Sequence, residues 1–154
     1  MSYFLGEFEC KLDAKDRMMI PVNLKKQLPE AEREGLFINR GFEKHLVIYP
    51  RKDWLLLLDE LSKLNQYEKK NRDFIKYFTR GATEIVPDAA GRVLVPKSLL
   101  DYAGIGTDVV LAGNLNKIDV WAKEAYDEQL DNEPENFAKL AEEVMGNKAS
   151  KTNE

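Results

Sequence analysis

One pattern is written twice in this chain, and that repetition constrains the fold more than any other feature. Asp13-Ala14-Lys15-Asp16-Arg17-Met18-Met19-Ile20-Pro21 recurs 75 residues later as Asp88-Ala89-Ala90-Gly91-Arg92-Val93-Leu94-Val95-Pro96. Asp, Ala, Arg and Pro are identical, and the three positions between Arg and Pro are apolar in both copies. Gly6, Glu9 and Leu24 fall on Gly81, Glu84 and Leu99 at the same offset. Farther on, Leu36-Phe37-Ile38 is echoed by Val109-Val110-Leu111, and Leu46-Val47-Ile48-Tyr49 by Ile118-Asp119-Val120-Trp121. The offset shrinks to 73 and then 72, as small loop deletions would cause.

Each copy reads the same way. An alternating strand (Phe4 to Leu12; Ala82 to Val86) leads to an Asp-x-x-x-Arg turn. A short apolar strand follows, closed by Pro21 or Pro96, whose missing N–H ends the pairing. A brief helix comes next (Val22 to Leu28; Lys97 to Ala103), with proline at its start. Two further strands are split by Arg40-Gly41-Phe42-Glu43-Lys44 in one copy and Gly113-Asn114-Leu115-Asn116-Lys117 in the other. The spacing therefore predicts a first unit over 1–50, a helical insert over 51–80, a second unit over 81–122, acidic helices over 123–146 and a frayed tail over 147–154. In the insert, Leu57, Leu61 and Leu64, then Phe74, Tyr77 and Phe78, are expected to face the core. Phe137, Leu140, Ala141 and Val144 share one face of the last helix.

A unit of about 50 residues with four short strands buries little core alone. Two units with interleaved strands would close one barrel and remove exposed edges. The expected class is α+β, mostly β, with pseudo-twofold pairing that puts the two Asp-x-x-x-Arg turns in related positions.

The 154 residues allow one compact domain, and 44% hydrophobic with 32% charged residues is the balance of a soluble globular chain. The longest apolar run, Trp54 to Leu58, is far short of a membrane span. The start, Met1-Ser2-Tyr3-Phe4-Leu5-Gly6-Glu7, lacks the basic and apolar regions of a signal peptide, so a cytoplasmic location is expected. Cys10 is the single cysteine and His45 the single histidine, which excludes an internal disulfide and a cysteine-rich metal site. Cys10 lies in a strand-like run and reads as a buried inert thiol. No metal or cofactor is expected.

Net charge is −4, which argues weakly against nucleic acid. Its distribution matters more. From Glu124 to Glu143 there are eight acidic residues and one basic, Lys139, so this segment carries −7 and the remainder +3. Binding to DNA depends on local potential at the contact surface rather than on the whole-chain total.

Asp13 and Asp88, one per copy, raise the possibility of a shared-proton dyad, but Ala14 and Ala89 follow them where an aspartic protease carries hydroxyl and glycine. They read instead as turn residues accepting backbone N–H bonds. Arg17 and Arg92 fit two roles: an ion pair to the aspartate of their own turn, or a guanidinium projecting to grip phosphate or a guanine edge. Lys15 adds a cation beside Arg17, and Lys25 and Lys26 extend the positive side.

With these motifs, and with Phe4-Leu5-Gly6-Glu7, Gly81-Ala82-Thr83-Glu84, Tyr102-Ala103-Gly104 and Val120-Trp121, the chain resembles the MraZ family of bacterial transcription regulators, relatives of the AbrB-type swapped-hairpin proteins. The resemblance covers Tyr3 to Asp127. It implies tandem AbrB-like units forming one swapped-hairpin (double-split) barrel with peripheral helices, assembled into a ring of about eight or more subunits. It also implies a non-enzymatic, nucleoid-associated repressor that binds double-stranded DNA at short direct repeats, in the promoter of the division and cell-wall gene cluster. Arg17 and Lys15 would be first contacts, Arg92 a further one, with Asp13 and Asp88 bracing the loops. Two positions depart from the family pattern: Asp16 stands where glycine is usual, and Ala90 where the other copy has Lys15. The competing expectation is an oligomeric, antitoxin-like protein-binding module whose acidic C-terminus recruits a partner.

Overall fold

The strand ladders follow the repeat. In the computed structural model, which describes residues 3–152 and the side chains of 3–146, the first copy forms β1 (Glu7–Lys11), β2 (Arg17–Met19), α1 (Val22–Lys25), α2 (Ala31–Glu34), β3 (Leu36–Arg40) and β4 (Leu46–Pro50). Two helices, α3 (Arg51–Ser62) and α4 (Lys69–Thr79), precede the second copy. That copy is β5 (Thr83–Ile85), β6 (Arg92–Leu94), α5 (Lys97–Ala103), β7 (Asp108–Asn114) and β8 (Lys117–Ala122). The structure divides into two compact units, Met1–Lys123 and Glu124–Glu154.

Six strands form one sheet in the order β1-β7-β8-β4-β3-β5, and β2 pairs with β6 in a separate antiparallel ribbon. Exchanging every strand for its counterpart in the other copy returns the same order, reversed. The registers obey the same symmetry. Glu9 faces Val110 and its counterpart Glu84 faces Phe37. In the ribbon the exchange leaves Met18↔Val93 in place, and in the β4–β8 ladder it leaves Val47↔Asp119 in place. The interleaving expected from sequence is present, because each copy's first strand pairs with the other copy's hairpin.

Ladder closure differs from the expected single barrel. β1 and β5 end the six-stranded sheet, and the first copy's β1 reaches the ribbon only through the isolated bridge Leu12↔Met18. The reason is local. The Asp-x-x-x-Arg turns bend the chain sharply, and Pro21 and Pro96 cap ribbon strands only three residues long.

The inner faces of sheet and ribbon hold the core: Leu36, Ile38, Leu46, Ile48, Leu111 and Ile118 from the sheet, Met18 and Val93 from the ribbon. Alternate residues of β4, Val47 and Tyr49, point the other way and pack with Trp54 of α3, so this central strand is buried on both faces. Trp54 anchors α3, while Leu64 stays exposed; in α4 only Phe78 and Ala82 beyond it join that cluster, and Phe74 and Tyr77 remain in solvent. The expectation that all the insert's apolar residues face the core is thus corrected, since Trp54 and Phe78 already fill the sheet face.

Two smaller differences have clear origins. The first copy's helix stops at Lys25, and the additional turn α2 follows, in the stretch where the first copy is two residues longer and the offset falls from 75 to 73. Gly104, at φ 64°, caps α5 in the left-handed conformation and stops it where glycine predicts. α6 (Lys123–Asp131), which starts at the last residue of the first unit, and α7 (Phe137–Thr152) are helical. α7 overlaps the span read as a frayed tail, whose residues 153–154 lie outside the described residues.

Candidate functional site

The two motifs form turns of identical construction. Asp13 Oδ1 accepts the backbone N–H groups of Lys15 at 2.9 Å and Arg17 at 3.0 Å; Asp88 Oδ1 accepts those of Ala90 and Arg92, both at 2.9 Å. The backbone bonds repeat as well, with Asp13 N donating to Arg17 O and Asp88 N to Arg92 O. Asp16 sits at φ 61° and its counterpart Gly91 at φ 86°. The turn needs a left-handed residue there, which glycine adopts freely and aspartate tolerates better than most.

The second carboxylate oxygen of each aspartate holds the arginine. Arg17 Nε donates to Asp13 Oδ2 at 2.8 Å, and Arg92 Nε to Asp88 Oδ2 at 2.9 Å. Both carboxyls are held below the ordinary aspartate range, first by the arginine's backbone N–H and also by its guanidinium. The two readings of the arginines are therefore not exclusive. Each guanidinium is anchored through Nε alone, and Nη1 and Nη2 have no partner among the described residues, so the outward edge of the fork stays available for an anion.

Strand period places the arginines together. With Met18 and Val93 fully buried, Arg17, Met19, Arg92 and Leu94 share the opposite face of the ribbon. Arg17 opposes Leu94 and Arg92 opposes Met19, so the arginines are diagonal neighbours, with Cα atoms about 7–8 Å apart. Met19 and Leu94 are 50% and 60% exposed, an apolar pair in solvent between two cations. These two residues were absent from the sequence-derived site, although the alternation Arg-apolar-apolar in both copies carried the signal.

The other named residues separate. Lys15 is exposed on the first turn. Lys25 is bound to Glu32 at 2.9 Å, whereas Lys26 is exposed. Asp13 and Asp88 lie toward opposite ends of the ribbon, each bonded to its own arginine, which is incompatible with one shared proton. Burial pushes the Cys10 thiol up to about 11, so it is not a nucleophile at neutral pH. The His45 ring stacks on Trp121 and faces Asp119. No group of three or more His, Cys, Asp or Glu suited to a metal ion occurs among the described residues, and no helix among them is long and apolar enough to cross a membrane.

Charge near the ribbon is balanced: Lys15, Arg17 and Arg92 stand against Asp13, Asp16 and Asp88. One copy of this surface has local donors but little long-range positive field.

Comparison with known proteins gives a consistent result. The family model described as "MraZ protein, putative antitoxin-like" matches residues 3–76 and 78–148. A protein of Flavobacterium psychrophilum named transcriptional regulator MraZ is 45% identical over 148 residues, 96% of this chain and 94% of that one. The protein of that name from Christiangramia forsetii is 43% identical over 148 residues, 96% of each chain. Its namesake in Bacteroides thetaiotaomicron is 38% identical over 147 residues, 94% of each.

Proposed function

Since the chain belongs to the MraZ family, a family of transcriptional regulators and not of enzymes, we propose that it regulates transcription by binding double-stranded DNA through the outer face of the β2–β6 ribbon. The observation that carries this reading is the pair of guanidinium groups on one exposed face, each braced by its own aspartate. A major groove about 12 Å wide admits a two-stranded ribbon. There Arg17 and Arg92 bridge phosphate oxygens or a guanine edge with their outward nitrogens, and Lys15 adds a phosphate contact. Met19 and Leu94 meet the apolar edge of thymine. Asp13 and Asp88 act as positioning residues, fixing each fork before DNA arrives and lowering the ordering cost. In this reading the strand exchange between copies is the swapped-hairpin arrangement of AbrB-type proteins.

The balanced local charge makes one ribbon a weak binder, so affinity comes from repetition. Copies in a head-to-tail ring of about eight or more subunits meet successive direct repeats, and linkage raises avidity by about 10²–10⁴. A twofold dimer would instead read a palindrome. The target is the promoter of the division and cell-wall gene cluster, where occupancy represses transcription; the protein then works in the cytoplasm on the nucleoid.

Footprinting on the DNA upstream of its own gene tests this. Protection of short direct repeats at constant spacing is expected, lost in Arg17→Ala at unchanged oligomer size. A palindromic footprint, no footprint, or wild-type protection by the variant refutes it.

A further inference from the structure

Away from the ribbon, the chain carries two exposed surfaces that complement each other and not themselves. The first is centred on α4. From Lys69 to Arg80 there are five cations and one carboxylate, Asp73, giving +4. Phe74 and Tyr77 of α4 and Phe42 of the β3–β4 turn stand 43%, 58% and 77% exposed. Together with Arg40, Phe78 and Tyr102 they line an open cavity of about 450 Å³, and the Nε of Arg40 is buried there without a hydrogen-bond partner. The second surface is the α6–α7 unit, where Phe137, Leu140 and Val144 form an exposed apolar stripe carrying −2 over 135–144, alongside a 124–143 segment that carries −7 in all.

We propose that the acidic α6–α7 unit of one copy docks on the basic, aromatic α4 face of the next copy. The proposal rests on the assembly part of the reading above and names the surfaces that make it. Exposed aromatic and aliphatic side chains rimmed by charge mark interaction surfaces. An apolar side chain from the α7 stripe fills the α4 cavity, while carboxylates around the stripe meet Lys70, Lys76 and Arg80. Charge decides the geometry. Pairing the 69–80 segment with itself sets +4 against +4, and pairing the acidic 124–143 segment with itself sets −7 against −7, so a twofold contact through either surface is repelled. Only the heterologous pairing is attractive, and a repeated heterologous contact generates a ring or a filament.

The test uses two full-length charge-reversed variants, Lys70→Glu/Lys76→Glu/Arg80→Glu and Glu135→Lys/Glu142→Lys/Glu143→Lys, sized by sedimentation velocity beside the wild type. The second triple takes the charge around the stripe, over 135–144, from −2 to +4, and the first takes 69–80 from +4 to −2, so each variant alone sets like charge against like at the contact and is expected to fall to a smaller species. A one-to-one mixture restores both attractive contacts, in alternation, and recovers an assembly. Tyr77→Ala and Phe137→Ala, which change no charge, form a second pair expected to weaken assembly with unchanged thermal melts. A wild type that does not self-associate overturns the assembly reading itself. A wild-type assembly that persists in either reversed variant overturns the docking surfaces alone. Recovery in a single chain carrying all six reversals, without recovery in the mixture, overturns the proposal by placing the contact within one chain.

Discussion

Replacing Arg17 and Arg92 by alanine, separately and together, is an experiment with a control built into the molecule, because each site reproduces the other's bonds to within about 0.1 Å. Each substitution removes one guanidinium whose two outward nitrogens lack a partner among the described residues. A bidentate contact to base or phosphate is worth about 1–3 kcal/mol, so each variant should lose about 5- to 150-fold in affinity per engaged subunit. If the contact is to phosphate, the slope of log affinity against log salt also falls by about 0.9 per lost contact. The fold should survive. Each ion pair is partly solvent-exposed and screened, so its loss changes stability little, and each aspartate keeps its backbone partners. The assay is fluorescence anisotropy on a duplex holding the upstream repeats, at several salt concentrations, with oligomer size checked by light scattering. Arg17→Lys is the informative companion: it keeps the charge but loses both the Nε anchor and the fork, and should recover little. Unchanged affinity and unchanged salt slope in both alanine variants would refute the reasoning, whatever the family does elsewhere.

Three further outcomes follow from the same geometry. Asp13 and Asp88 titrate lower in the folded protein than in the unfolded chain, so their stabilisation of the turns is present above the unfolded carboxyl pKa and is lost as pH falls through the lower folded values; amide NMR shifts of Lys15, Arg17, Ala90 and Arg92 should move together on acidification, and shifts tracking an ordinary aspartate would contradict this. Met18→Ala, at a fully buried position on the ribbon's symmetry point, should cost about 2–5 kcal/mol in denaturant unfolding, and a loss below about 1 kcal/mol would mean the ribbon is not packed on the core. Asp16→Gly relieves a left-handed aspartate and removes a carboxylate beside Arg17; stability should change by less than about 1 kcal/mol, glycine's unfolded-state entropy offsetting the relief. DNA affinity should rise about two- to fivefold for a unit charge some 4–8 Å from phosphate, and weaker binding by this variant would count against the placement of the first turn.

The repeat made most of the topology legible. Once Asp13 to Pro21 is aligned with Asp88 to Pro96, interleaved pairing follows from the need to cover edges, and the observed registers keep that symmetry residue by residue. That Asp13 and Asp88 accept backbone N–H bonds in their turns was legible too, since an aspartate two and four residues before N–H groups in a turn has few other uses. Three things were not. Ladder closure depends on how sharply the turns bend, which periodicity does not report. The role of Trp54 was hidden among consecutive leucines, where helical spacing alone does not choose the residue that meets Tyr49 and Phe37. The exposure of Phe74 and Tyr77 depends on how many rings the sheet face accommodates, a packing limit that no local pattern encodes. At the site, Met19 and Leu94 were overlooked because apolar residues in a strand are first assigned to the interior; only the burial of their neighbours fixes which face is outward.

The position where Val47 faces Asp119 has a consequence for how such a molecule can diversify. Two separate identical chains crossing there would be forced to present one residue to its own duplicate, valine to valine or aspartate to aspartate. Covalent tandem linkage lifts that constraint, and here Asp119 also accepts a hydrogen bond from Asn114 and stands 3.5 Å from His45, with no equivalent acid at Val47. It also makes strand exchange a first-order event, so the sheet forms at any dilution, and each half can accumulate its own surface chemistry without waiting for a second molecule to match it.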